Sequence, residues 1–198
     1  MNRSSEVHAL FGLLLIGGKS TRMGRDKSGI AYRGMAHRDY LHALLANFCA
    51  RVYISCRPEQ AHDLLPDQQA IRDVTTIPGP LNGLLSAHSA HPHVAWLVLA
   101  VDLPNVTEAD LQLLVHQRSP ECGVTAYQSA LRSAPEPLFA IWEPAAIPTE
   151  AMVQASNNFS ITHWLMKGSV HTFPPRDEAI LWNANTPEER DRAKRHRS

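Results

Sequence analysis

Ala9-Leu-Phe-Gly-Leu-Leu-Leu-Ile16 runs without a break into Gly17-Gly-Lys-Ser-Thr-Arg-Met-Gly-Arg-Asp-Lys27. The first segment is an apolar run of strand length that stops abruptly at a cluster of charges, which predicts a buried first strand. The second holds three glycines (Gly17, Gly18, Gly24) and four cations (Lys19, Arg22, Arg25, Lys27). Glycine carries no Cβ, so peptide N–H groups can close on an anion, and the cations neutralise what those amides cradle. A triphosphate, with several negative charges close together, fits a loop of this make-up. The spacing is neither the GxxxxGK(S/T) of a P-loop nor the GxGxxG of a dinucleotide site.

Outward from this segment, apolar runs alternate with helical patterns. Leu41, Leu44, Leu45 and Phe48 give helical spacing over His37–Ala50, and Arg51–Cys56 reads as a short strand rich in β-branched residues. Asn82–Ala90 reads as a helix. Val94–Val101 is almost wholly apolar, as a central parallel strand buried on both faces should be. Thr107 with Asp110 three residues on predicts a helix start close to a capping box. Gly123–Ala126 and Leu138–Trp142 predict further strands, and Ser160–Lys167 and Thr186–Arg195 further helices. Such alternation implies an α/β domain with a mostly parallel sheet. The proline-rich stretch Ser133–Pro148 reads as a loop region or small subdomain, and nothing in residues 1–198 marks a boundary between domains.

Composition narrows the function classes. A chain of 198 residues is long enough to bury about 70% of its unfolded surface in one domain. Nineteen basic residues balance nineteen acidic ones, which argues against a general nucleic-acid binder. The basic tail Arg190–Arg197 includes Asp191 and reads as a solvated helix end. No apolar stretch reaches the length of a membrane span. Three cysteines (Cys49, Cys56, Cys122), none in a CxxC pair, suit a reducing, cytoplasmic setting. The close histidine pair His91-Pro-His93 is interrupted by proline and reads as a surface turn.

Ligands of open parallel sheets bind beyond the carboxyl ends of the strands. Three segments are expected there: the glycine loop, Asp102 after Val94–Val101, and Asn183 with Asn185 after Ile180–Leu181. Asp102, in Leu99-Ala-Val-Asp-Leu-Pro104, can hold Mg²⁺, which takes one or two carboxylates plus phosphate oxygens; a turn aspartate ahead of Pro104 explains it equally well. Ile77-Pro-Gly-Pro-Leu-Asn-Gly-Leu-Leu85 brings Gly79, Pro80 and Gly83 to a helix start, where the glycines permit close approach to a planar base. Asp73 can accept from a base or ribose donor. In Trp182-Asn-Ala-Asn-Thr-Pro-Glu-Glu189, Thr186 and Pro187 are explained by a helix start, but Asn183 and Asn185 are not.

Taken in order, Leu15–Lys27, Gly79–Leu84, Leu99–Pro104, Glu136-Pro-Leu-Phe-Ala140 and Asn183–Glu189 resemble the molybdenum cofactor guanylyltransferase family, within the nucleotidyltransferases. The resemblance spans nearly the whole chain. It implies a three-layer, Rossmann-like nucleotidyltransferase fold and transfer of GMP from GTP to the terminal phosphate of molybdopterin, with Mg²⁺ and release of pyrophosphate. By position it implies that Leu15, Ile16, Gly17, Gly18, Lys27, Ser55, Asp73, Gly79, Pro80, Gly83 and Asp102 line the nucleotide site. Asp102 and Asn185 would hold the ion, and Asn183 and Asn185 the acceptor. Arg22, Lys27 and Asp102 would be the catalytic set. The resemblance also implies molybdoenzymes and cofactor-handling proteins as partners, with neither nucleic acid nor membrane involved. The chain departs from the pattern in three places. Ser55 stands where the family often has Asn. Gly34-Met-Ala stands where Gly-Lys-Pro is common. Asn157–Ile161 lacks the glycine and basic residues expected beside the acceptor.

Overall fold

Leu10–Leu15 forms β1, and the strand's alternation decides the layering. The computed structural model describes residues 7–16, 31–32, 35–56 and 58–184. Leu14 joins one apolar cluster while Leu13 and Leu15 join another, on opposite faces of the same sheet. The chain continues as a two-residue antiparallel pair, β2 (Ala31–Tyr32) with β3 (Met35–Ala36), then α1 (His37–Ala46), β4 (Arg51–Cys56) and β5 (Gln69–Arg72). There follow α2 (Pro80–Ala90), β6 (Ala95–Ala100), α3 (Glu108–His116), β7 (Val124–Tyr127) and β8 (Phe139–Trp142). The last described helices and strand are α4 (Glu150–Ser156), α5 (Ile161–Lys167) and β9 (Val170–Phe173), ahead of a 3₁₀ turn over Glu178–Leu181.

Seven strands make one sheet in the order β5-β4-β1-β6-β8-β7-β9. All neighbours run parallel except β8, which is antiparallel to both β6 and β7. Helices α1 and α3 cover one face through Leu41, Leu44, Leu45, Leu111 and Leu114. Helices α2, α4 and α5 cover the other through Leu81, Leu84, Leu85, Val153, Ile161, Trp164 and Leu165. This is the expected three-layer α/β arrangement. Each such fully buried apolar side chain contributes about 1.5–3 kcal/mol relative to exposure.

The expected elements are present, with boundary differences that have local causes. Helix α1 stops at Ala46 instead of reaching Ala50, because the next strand must begin at Arg51. Helix α2 starts two residues before Asn82, at Pro80, whose missing N–H costs nothing at a first helical position. Thr107 and Asp110 do form the capping box, with the Thr107 N–H donating to Asp110 Oδ2 at 2.9 Å. Ser160 caps α5 by accepting from the His163 N–H at 3.3 Å. The helix expected over Thr186–Arg195 lies outside the described residues.

Two expectations are corrected. Ser133–Pro148 is not a separate loop region or subdomain: it carries β8, buried at every residue and inserted between β6 and β7. Its prolines lie in the flanks, where no ladder N–H is needed. Ile180–Leu181 is not a strand end; it closes a 3₁₀ turn over Glu178–Leu181 that Asp177 caps.

Candidate active site

The sheet order reverses direction at β1: the chain moves from β1 to β4 on one side and later to β6 on the other. A crevice at such a switch point is the binding position of open α/β sheets. Leu15 is in register with Ser55 of β4 and Ala100 of β6, so three carboxyl ends stand side by side. The ladder continues one step further. Ile16 N–H donates to the Ser55 carbonyl at 3.2 Å, and Val101 N–H to the Leu15 carbonyl at 3.1 Å. Leu15 and Ile16 are therefore fixed at the mouth from which the glycine loop departs. Gly17, Gly18, Arg22, Lys27 and Asn185, and with them Gly34, lie outside the described residues.

One wall of the crevice is the start of α2. Gly79 has φ of +82°, a conformation that side chains rarely adopt, and a Cβ added there would meet nothing within 4 Å among the described residues. Its glycine is required by the backbone. Gly83 differs. A Cβ there would stand 2.5 Å from Ser55 Oγ and 2.7 Å from Leu15 Cδ2. Here α2 packs directly onto the ends of β1 and β4, and that packing by itself requires a bare residue.

Sequence reasoning missed Asn82. It is buried, and its amide ties the loop after β5 to α2. Its Oδ1 accepts from Thr75 Oγ1 at 2.7 Å and from Ser86 Oγ at 3.2 Å, and its Nδ2 donates to the Thr75 carbonyl at 3.1 Å. Ser86 Oγ in turn accepts from the Val74 N–H at 3.0 Å. These bonds hold Asp73 at the rim, exposed, where Ser55 Oγ donates to its Oδ1 at 3.4 Å. The signal was faint because a buried asparagine in a helix start reads like any polar first-turn residue.

The opposite wall is built around Asp102, two residues past β6 and partly exposed, with its Oδ1 buried. The expected neighbour arrives from far along the chain. The 177–184 segment runs as a strap, pinned at each step. Asn105 Nδ2 donates to the Ala179 carbonyl at 2.9 Å. Glu178 accepts from Ser129 Oγ at 2.6 Å and the Ala130 N–H at 3.1 Å. Arg132 Nη2 donates to the Leu181 carbonyl at 2.7 Å, and the Ala184 N–H donates to the Asp102 carbonyl at 2.8 Å. The strap is thus tied at Ala184 to the Asp102 backbone, with Asn183 exposed one residue before it. Glu136, in the Glu136–Ala140 block, is buried near Asp102. Desolvation pushes its carboxyl upward; the Leu138 N–H and Arg132 oppose this, and Asp102 adds to it.

The described donor at this wall, the Asp102 carboxylate, is a hard oxygen ligand of the kind Mg²⁺ prefers. Among the described residues no group of three or more His, Cys, Asp or Glu could hold a metal. A Mg²⁺ site that draws most of its ligands from phosphate and water needs no such group. The residues present fit the ion.

Comparison with known proteins follows the same line. The MobA-like NTP transferase domain matches residues 12–167, most of the chain. The chain belongs to the MobA-like NTP transferase family. Membership makes it a nucleotidyltransferase. A probable molybdenum cofactor guanylyltransferase of Synechococcus elongatus is 33% identical over 88% of this chain and 93% of that protein. A molybdenum cofactor biosynthesis bifunctional protein of Synechocystis is 32% identical over 91% of this chain. The chain spans about half of that protein's length, 52%. The molybdopterin-guanine dinucleotide biosynthesis protein A of Archaeoglobus fulgidus superposes with a TM-score of 0.75 over 94% of this chain and 97% of its own, at 21% identity. That likeness establishes the MobA-like fold here. Among the described residues no helix is long and apolar enough to cross a membrane.

The segment expected near the acceptor, Asn157–Ile161, is a self-contained turn between α4 and α5. Asn157 takes the left-handed conformation (φ 51°) in which glycine would be easier. Asn158 Oδ1 accepts from the Ser160 N–H at 3.0 Å, and the Asn158 carbonyl accepts from Trp164 Nε1 at 2.9 Å.

Proposed function

We propose that this chain transfers GMP from GTP to the terminal phosphate of molybdopterin, releasing pyrophosphate. The observation that carries the reading is the convergence of Leu15–Ile16, Ser55–Asp73, Gly79–Pro80 and Asp102–Asn183 around one switch-point crevice in a MobA-like chain. The base would lie against Gly79 and Pro80. Guanine presents N1–H and N2–H donors, which the exposed Asp73 carboxylate and strand-end carbonyls can accept. The polyphosphate would run under the glycine loop. Arg22 pairs there with the phosphates that leave, and Lys27 with the α-phosphate or the incoming phosphate.

The attacking group is already an ionised phosphate, so the reaction needs no general base and none of the eleven histidines is assigned one. Catalysis then rests on alignment and on charge stabilisation in place. Asp102 and Asn185 would hold Mg²⁺, whose chemistry when bound is to neutralise charge building on the transferring phosphoryl group. Asn183 would orient the acceptor.

The test is pyrophosphate release by the purified chain with Mg²⁺ and a molybdopterin source, run with each of GTP, CTP, ATP and UTP. Turnover with GTP alone supports the reading. Turnover with CTP moves the base assignment, and nucleotide binding without turnover removes the transferase reading.

A further inference from the structure

Arg132 and Glu136 lie in the loop between β7 and β8, and the reaction as drawn uses neither. Their contacts nonetheless run to both halves of the ion-binding wall. Arg132 Nη1 donates to Glu136 Oε2 at 2.7 Å while its Nη2 donates to the Leu181 carbonyl at 2.7 Å. Glu136 Oε1 accepts from the Leu138 N–H at 3.1 Å, and the Leu138 carbonyl accepts from the Ala100 N–H at 2.9 Å. One end of the chain of bonds is therefore fixed to the last residue of β6, two residues before Asp102. The other end grips the strap three residues before Ala184, whose N–H is bonded to the Asp102 carbonyl. The Arg132 guanidinium closes this ring through the Glu136 carboxylate, and its planar fork suits a carboxylate and a carbonyl at once. A surface ion pair would be worth little. Here the Glu136 side chain is only 10% exposed, whereas that of Arg132 is 41% exposed, so the carboxylate is a fixed anchor and the guanidinium a replaceable clasp.

We propose that Arg132 and Glu136 are positioning residues for the ion site. Clasped together, they fix the 181–184 strap against the Asp102 turn and so hold the Asp102 carboxylate in place for the ion. This rests on the reading of Asp102 as an ion ligand. Groups that orient metal ligands without touching the metal cost about 10–100-fold in metal affinity or activity when removed. The clasp acts on the ion and on the transition state, and not on the base, which lies across the crevice near Gly79.

The test uses the full chain and Mn²⁺ as probe, with bound ion read from loss of the free-ion EPR signal in the presence of GTP, alongside KM, kcat and a melting curve. Arg132→Met is expected to weaken Mn²⁺ binding and lower kcat by about tenfold, with KM for GTP at saturating metal unchanged within about twofold. Glu136→Gln should act in the same direction. Arg132→Lys can reach only one of the two acceptors at a time and should recover part of the loss. If folded variants bind Mn²⁺ like the parent chain, or lose only melting temperature, the proposal is overturned. Should Arg132→Met fail to fold, Arg132→Lys and Glu136→Gln decide the matter. Asp102→Asn separates the two readings: parent-like Mn²⁺ binding by that variant would remove the ion assignment itself. Loss with Asp102→Asn but not with the Arg132 and Glu136 variants would remove only the clasp.

Discussion

Replacing Gly83 by alanine tests whether α2 is seated on the strand ends as tightly as the structure shows. The new methyl carbon would stand 2.5 Å from Ser55 Oγ, 2.7 Å from Leu15 Cδ2 and 3.1 Å from Ser55 Cβ. The first two are roughly 1 Å short of the ~3.5 Å at which non-bonded atoms rest. Ser55 Oγ can rotate and the Leu15 methyl can swing, but Ser55 Cβ belongs to a strand paired on both edges and cannot retreat. Overpacking of a filled core costs about 1–3 kcal/mol, and glycine to alanine within a helix returns about 1 kcal/mol. The net expectation is destabilisation by about 1 kcal/mol. Rotation of Ser55 would also break its bond to Asp73, loosening the rim where the base is placed. Urea unfolding should show the lower midpoint, and the KM for GTP should rise about threefold or more, the kinetic counterpart of losing one weak hydrogen bond. Adding Ser55→Ala removes the nearest oxygen and should restore part of the stability. A Gly83→Ala chain more stable than the parent by the full helix-propensity gain, with unchanged KM, would refute the packing argument.

Three further outcomes follow from named groups. Lys27→Ala should cost about 3 kcal/mol in transition-state stabilisation, read as a fall of two orders of magnitude or more in kcat/KM; near-parent turnover would remove that lysine from the mechanism. Burial pushes the Cys49 thiol up to about 12, and Cys56 is 1% exposed, so a thiol reagent at pH 8 should modify Cys122 alone in the folded chain and all three cysteines in denaturant. Rapid native modification of all three would contradict the burial. Desolvation, with His93 adding for His88, holds the His88 and His42 imidazoles below the usual histidine range. The unfolded chain then takes up protons first as pH falls below about 6.5, so stability present above that pH is lost beneath it. His88→Gln should flatten the fall in melting temperature between pH 6.5 and 5, and an unaltered slope would count against the assignment.

Legibility followed burial. β6 could be read because all six of its residues are buried, which leaves an unbroken apolar run. β5 and β9 could not: β5 buries only Ile71, and β9 carries His171 and Thr172 in an edge position, so neither shows a clean period. The direction of β8 is invisible in an apolar run, because a parallel and an antiparallel central strand bury the same residues. Ile180 and Leu181 misled for a related reason, since a short buried run does not distinguish a strand from a 3₁₀ turn. At the candidate site, Asp102 was legible because position after a buried strand is itself a signal, whereas Leu15, Ile16 and Ser55 entered through the family resemblance. Asn82 and Arg132 were not legible, because the bonds that give them their place span 7 and 49 residues of chain and leave no local pattern.

The most direct measurement is a crystal of the full chain grown with Mn²⁺ and a GTP analogue blocked between the α- and β-phosphates, examined for anomalous scattering. The account predicts one strong peak bonded to the Asp102 carboxylate and to phosphate oxygens, with the base beside Gly79. A peak elsewhere, or nucleotide bound with Asp102 turned away from both ion and phosphate, would contradict it.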